Sequence, residues 1–137
     1  MLKKFSVYLA SIVLLFSLFI SNRAPIVDMA NEYEVYFKSY SQSSWLKTID
    51  KNQFKLVLGI KGESFTIDIN DFCLEEFLSQ IDGDICFIES LENVVCYYGY
   101  SKKVKYLEMI NGKIINVHIA ISKNYVKIGF PIIYGSF

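Results

Sequence analysis

The chain is poor in the residues that carry most protein chemistry. It has one histidine, His118, and one arginine, Arg23, among 137 residues. A lone histidine excludes multi-histidine metal sites, and three scattered cysteines, Cys73, Cys86 and Cys96, form no ligand cluster of recognised spacing. No metal or other cofactor is therefore expected. Glycine-rich phosphate loops, Gly-x-Ser-x-Gly elbows and His-Glu-x-x-His helices are also missing, which lowers the expectation of an enzyme without excluding one. Charge of one sign does not dominate: 14 Lys plus Arg balance 14 Asp plus Glu. The chain as a whole therefore generates no field that would draw it to nucleic acid.

Apolar residues, by contrast, are plentiful. They make up 53% of the chain and aromatics 16%, enough for a buried core and too much for a disordered chain. The length allows a single small domain once the N-terminal apolar run is set aside. That run begins after Lys3 and Lys4 and continues for sixteen uncharged residues, Phe5 to Ile20. It reads as an export signal. At ~1.5 Å per residue it spans roughly 24 Å, short of the ~30 Å hydrocarbon core unless Leu2 and Ser21 join it. Residues 1–24 are thus a signal peptide or an uncleaved membrane anchor. The best cleavage fit, Asn22-Arg23-Ala24, is followed by Pro25, which hinders cleavage and favours the anchor. Either way, Lys3 and Lys4 place residues 25–137 outside the cytoplasm, at the membrane face or secreted if the segment is cleaved.

Residues 25–31 read as a linker and 32–137 as one α+β domain. Period-2 alternation predicts a strand over Glu32–Tyr40, with 41–50 a loop around Trp45. Phe54, Leu56, Leu58 and Ile60 on one side, and Phe65, Ile67 and Ile69 after the turn residues 61–64, predict a hairpin. Leu74, Phe77, Leu78 and Ile81 repeat at helical spacing behind Asn70 and Asp71, which are expected to cap; Asp82-Gly83 ends the helix. Strands are expected at 84–89, 94–100, 104–110, 113–121 and 125–130.

The last three strands can be put in register. A two-residue turn at Asn111-Gly112 sets Val104 against Ile119, Tyr106 against Val117 and Glu108 against Ile115. A turn at Lys123-Asn124 sets Ile121 against Val126, Ile119 against Ile128 and Val117 against Phe130. Both put Ile115, Val117, Ile119 and Ile121 in one core row. The apolar ending, Phe130 to Phe137, is expected to be edge structure, with Ile132, Ile133 and Tyr134 folded back onto the domain.

The C-terminal region resembles the YwmB-like proteins of Gram-positive bacteria. The matching features are the turn before Lys113, the alternating strand Ile115 to Ile121 and the run Gly129-x-Pro131-Ile132-Ile133 with an aromatic end. The resemblance covers about residues 71–137; this chain is shorter than the family and lacks much of its N-terminal repeat. It implies an exported protein with a TATA-box-binding-protein-like fold, a curved antiparallel sheet with helix on one face. The expected architecture is accordingly a curved sheet of about seven to eight strands with one packed helix, behind an N-terminal membrane or signal helix.

Candidate chemistry is sparse. His118 is expected on the face opposite the core row, across from Lys105 and beside Gly129, with no carboxylate placed to make it a base. Glu75 and Glu76 diverge on the helix surface. Cys86 and Cys96 would face each other only with a three-residue turn between their strands; otherwise all three thiols are free and buried. What remains is a surface: Tyr36, Tyr40, Lys105, Asn116, His118, Tyr125 and Lys127 form a candidate binding face of tyrosine among mixed charges. The expected function is an exported, membrane-tethered, non-enzymatic module that binds a protein or envelope component. Its alternative is an envelope hydrolase or oxidoreductase with an unrecognised site.

Overall fold

A computed structural model describes residues 2–21, 23–37 and 46–135. Helix α1, Leu2–Ser21, comes first. Among the described residues no helix is long and apolar enough to cross a membrane. The domain then runs β1 (Glu32–Tyr36), β2 (Leu46–Asp50), β3 (Gly62–Asp68), α2 (Leu74–Ile81), β4 (Gly83–Ser90), β5 (Val94–Ser101), β6 (Glu108–Ile110), β7 (Lys113–Ile115), β8 (Val117–Ser122) and β9 (Tyr125–Phe130). Seven strands form one antiparallel sheet in the order β2-β1-β3-β9-β8-β5-β4, and β6 and β7 form a separate two-stranded ribbon. The fold class is α+β, as expected.

Alternation decides which residues go inside. Tyr33 and Val35 of β1, Phe65 of β3, Val126, Ile128 and Phe130 of β9, and Val117 and Ile119 of β8 share one face and are buried. Each such side chain contributes roughly 1.5–3 kcal/mol by removal from water. Helix α2 covers part of this face with Phe77 and Ile81; the Phe77 ring lies on Phe130 at 6.4 Å. The helix ends where Asp82 turns left-handed, φ 52, and its N–H reaches the carbonyls of Leu78 and Ser79. Its N-cap is Cys73, which makes no side-chain bond. The expected caps serve elsewhere: Asp68 accepts from Asn70 N and starts the short 3-10 turn Ile69–Asp71.

Three strand assignments need correction. Residues 46–50, expected as loop, are β2 and pair with β1. Residues 53–60, expected as a strand, begin instead with the 3-10 helix Lys51–Leu56, and the expected hairpin gives way to β3 pairing with β1 and β9. The cause is a capping box: Asp50 accepts from Asn52 N at 2.8 Å, while Gln53 Oε1 accepts from Asp50 N at 3.0 Å. Finally, the Asn111-Gly112 turn holds Glu108 against Ile115 as expected, yet pairing stops there. Strand β5 takes the edge of β8 intended for residues 104–106, placing Gly99 opposite Val117 and Tyr97 opposite Ile119. Asn116 holds the diverted chain, accepting from Ser101 N and donating to the carbonyls of Ser101 and Val104, all at 2.7–2.9 Å.

The β8–β9 register is as expected, with Ile121 on Val126 and Ile119 on Ile128. Ile115, Val117 and Ile119 are fully buried, and Ile121 half-buried. The thiols are free, but only Cys96 is buried; Cys73 is exposed and Cys86 half-buried. Cys86 falls in a bulge between Ile85 and Phe87, and Glu89 faces Cys96 in its place. Residues 25–31 are packed rather than spanning: Val27 is in the core, and its carbonyl accepts from Tyr33 OH at 2.6 Å.

The C-terminal tail folds back onto the domain as expected, but it is not edge structure: β9 lies between β3 and β8 in the middle of the sheet, so the chain beyond Phe130 leaves a central strand and returns over the second face. Ile133 joins Cys96 and Ala120 in a small buried cluster, and Tyr134 lies against Tyr36 at 4.7 Å between ring centres. The tail backbone crosses directly over Gly129. A methyl group there would sit 2.6 Å from Ile133 N and 2.7 Å from the Ile132 carbonyl. Gly129→Ala should therefore lift the tail at a cost of about 1–3 kcal/mol. Alkylation of native protein reads this directly: Cys96 should become several-fold more reactive relative to the exposed Cys73. Unchanged Cys96 protection would show that the tail does not depend on this close approach.

Candidate functional site

In the sequence Glu63 reads as a turn residue. Strand β3 begins one residue earlier, at Gly62, and the pleat then aims Glu63 to the same side as Phe65, into the core layer. The residue is 1% exposed. Its carboxylate accepts from Ile26 N at 2.6 Å, tying down the segment after α1. Beside it lies a cavity of about 310 Å³ bounded by Arg23, Phe54, Val57, Lys105 and Tyr106. Arg23 Nη1 donates to the Val57 carbonyl at 2.6 Å and closes one wall.

Burial raises the Glu63 carboxyl to about 7, against the opposing pull of the Ile26 N–H and the Lys105 charge. Tyr106 is pushed up by burial and by Glu63. The cavity thus pairs a carboxylic acid poised near neutrality with a phenol that stays protonated, a combination able to exchange a proton or hold a polar ligand. Position in the strand alternation is the signal available for Glu63, and the incorrect hairpin hides it.

The expected binding face is largely not open. Tyr36, Asn116, His118 and Lys127 are buried, Tyr125 is half-buried, and Tyr40 lies outside the described residues. Tyr36, His118 and Lys127 do share one face, joined across β3 and β9. Lys127 pairs with Glu34 at 2.7 Å. Tyr36 OH donates to the Tyr134 carbonyl at 2.9 Å and lies 2.7 Å from Ser64 Oγ, which is 3.0 Å from Glu34. Two hydroxyl protons serve these three contacts, so one of the two is shared. Asn116 turns away to the 101–104 loop, and Lys105 is exposed at the rim of the Glu63 cavity.

His118 lies beside Gly129 as expected but faces Tyr98, not Lys105. Its ring stacks on Tyr98 at 4.4 Å, and its Nδ1 accepts from Ile133 N at 3.2 Å. The tail covers His118, so it is buried and not part of an open binding face. Burial lowers its pKa to about 4. Among the described residues no group of three or more His, Cys, Asp or Glu is placed to hold a metal.

The two buried titrating groups act on stability with opposite sign. Glu63 moves from 4.5 unfolded to about 7 folded, so the unfolded chain loses its proton first and stability falls as pH rises across that window. His118 moves from 6.5 to about 4, so the unfolded chain gains its proton first and stability falls as pH drops across its own window. Each effect amounts to roughly 3 kcal/mol at most, and the two oppose each other where the windows overlap. Denaturation of the full chain in detergent between pH 4 and 7.5 should show this. Relative to wild type, Glu63→Gln should gain stability as pH rises and His118→Phe should lose it. Parallel profiles for all three proteins would contradict both assignments.

No family model matches the chain, and neither does any curated protein or solved structure.

Proposed function

We propose that this is an exported, membrane-tethered, non-enzymatic module that acts on the extracytoplasmic side and binds a protein or another envelope component. The observation that carries the proposal is helix α1. Ten of its large apolar side chains, from Phe5 to Leu18, are between 53% and 70% exposed. The domain after it buries the same residue types. Two of its hydroxyls are satisfied internally, Ser11 Oγ donating to the Val7 carbonyl and Ser17 Oγ to that of Leu14. An exposed, predominantly apolar helix suits lipid even though its described part is not by itself long and apolar enough to cross a membrane, and Lys3 and Lys4 would set its cytoplasmic end. Cleavage after Ala24 would release the same domain in secreted form.

Partner binding draws support from the sheet edges. β2 and β4 are the outermost strands, and β4 is eight residues long with Ile88 exposed and Leu91 exposed just beyond its end. Such an edge can accept an added strand from a partner. The likeness of residues 71–137 to YwmB-like proteins belongs to this proposal, with the curved TATA-box-binding-protein-like sheet it implies.

A second reading, an envelope hydrolase or oxidoreductase, rests on Glu63 and its cavity. Screening hydrolase and redox substrates against wild type and Glu63→Gln separates the two: turnover lost in the variant supports the enzyme.

The topology has a direct check. Protease added to cells stripped of their wall should digest residues 25–137, as it digests an external control. An intact domain alongside an intact cytoplasmic control and a degraded external one would overturn the proposal.

A further inference from the structure

The loop that walls the Glu63 cavity also carries the domain's most exposed leucine. Leu56 is 80% exposed and Leu58 58%, whereas Phe54 between β2 and this loop is 2% exposed and fixes it to the core. Gly59 comes next in the left-handed region, φ 78, with open space around it. The loop is therefore rooted at Phe54 and presents two leucines outward. Segment 51–61 contains Lys51, Lys55 and Lys61 and no acidic residue; Lys51 is paired with Asp28 at 3.2 Å, so the local positive charge is that of Lys55 and Lys61. Lys55 and Lys61 are exposed, and Lys105 lies across the cavity. Zero net charge over the whole chain thus conceals a local cationic rim around an apolar tip.

Helix α1 ends at Ser21, and Arg23, two residues on, is bonded to the Val57 carbonyl between the two leucines. α1 also comes within 8 Å, Cα to Cα, of the 3-10 helix Lys51–Leu56. The leucines are thereby held close to the point at which the chain leaves α1.

We propose that the loop carrying Leu56 and Leu58 is a membrane-contact surface that seats the domain on the anionic bilayer holding α1. The proposal rests on the reading of α1 as the tether. The leucines enter the boundary between headgroups and acyl chains, and Lys55, Lys61 and Lys105 meet lipid phosphates. Arg23 sets the spacing, because its bond to Val57 prevents the domain from swinging away on a free linker.

The test uses the full-length chain with Trp45→Phe, carrying either Leu58→Trp or Leu91→Trp. Leu91 is exposed and lies in the β4–β5 turn, at the other end of the sheet from Gly62. Each protein is reconstituted into phosphatidylcholine and phosphatidylglycerol vesicles, with or without brominated acyl chains, and vesicle flotation is measured in parallel. Brominated lipid should quench the Leu58→Trp emission roughly twofold or more and leave Leu91→Trp unchanged. If the protein floats with the vesicles and both positions respond alike, the contact surface is refuted and the tether stands. A blue-shifted but unquenched tryptophan at position 58 would mean that protein, not lipid, covers the loop, and would also refute it. Failure to float would overturn the tether and the contact surface together.

Discussion

Strand β9 can leave neither face of itself exposed to water, and much of the structure depends on that. It is the fourth of seven strands, bonded to β3 and β8 along its edges. From Val126 to Phe130 every residue is buried, those on the core side and those on the other side alike. One helix covers only one face. The other is covered by the chain returning over it, and Gly129 provides the close approach that lets the tail backbone lie flat. From that return come the burial of His118, Cys96 and Tyr36.

The core side is completed differently. Segment 23–31 and the 3-10 helix Lys51–Leu56 lie over it, joined by Arg23 to Val57 and by Ile26 to Glu63. A carboxylate is a costly group to bury, and here it accepts a backbone N–H with a lysine nearby. The result is a domain whose most ionisable interior group lies next to the place where α1 joins it. The proposed tether and membrane contact therefore act on the same layer that holds the cavity.

Much of the C-terminal half is legible in the sequence because its signals are local. Asn111-Gly112 fixes Glu108 against Ile115, Lys123-Asn124 fixes Ile121 against Val126, and the 74–81 periodicity gives the helix with its end at Asp82. The features that escape the sequence are non-local or use the same residues in another way. Phe54, Leu56, Leu58 and Ile60 alternate like a strand, but Asp50 and Gln53 cap a 3-10 turn, leaving Phe54 inside and the leucines outside. Nothing near Val104 indicates that β5, rather than residues 104–106, will occupy the edge of β8. The candidate face is correct in parity for Tyr36, His118 and Lys127, yet it is not open, because alternation says which side a residue takes and not what later covers it. Glu63 is invisible for the converse reason: its importance depends on where β3 starts.

The central claim is that the tail seals the second face through its contact with His118. Because the chain has a single histidine, nitrogen-correlated NMR of the imidazole is unambiguous. Nδ1 accepts from Ile133 N, so the ring proton belongs on Nε2. One fixed tautomer is expected, protonated at Nε2 and still neutral at about pH 5. A ring that exchanges tautomers and titrates near the ordinary histidine value would contradict it.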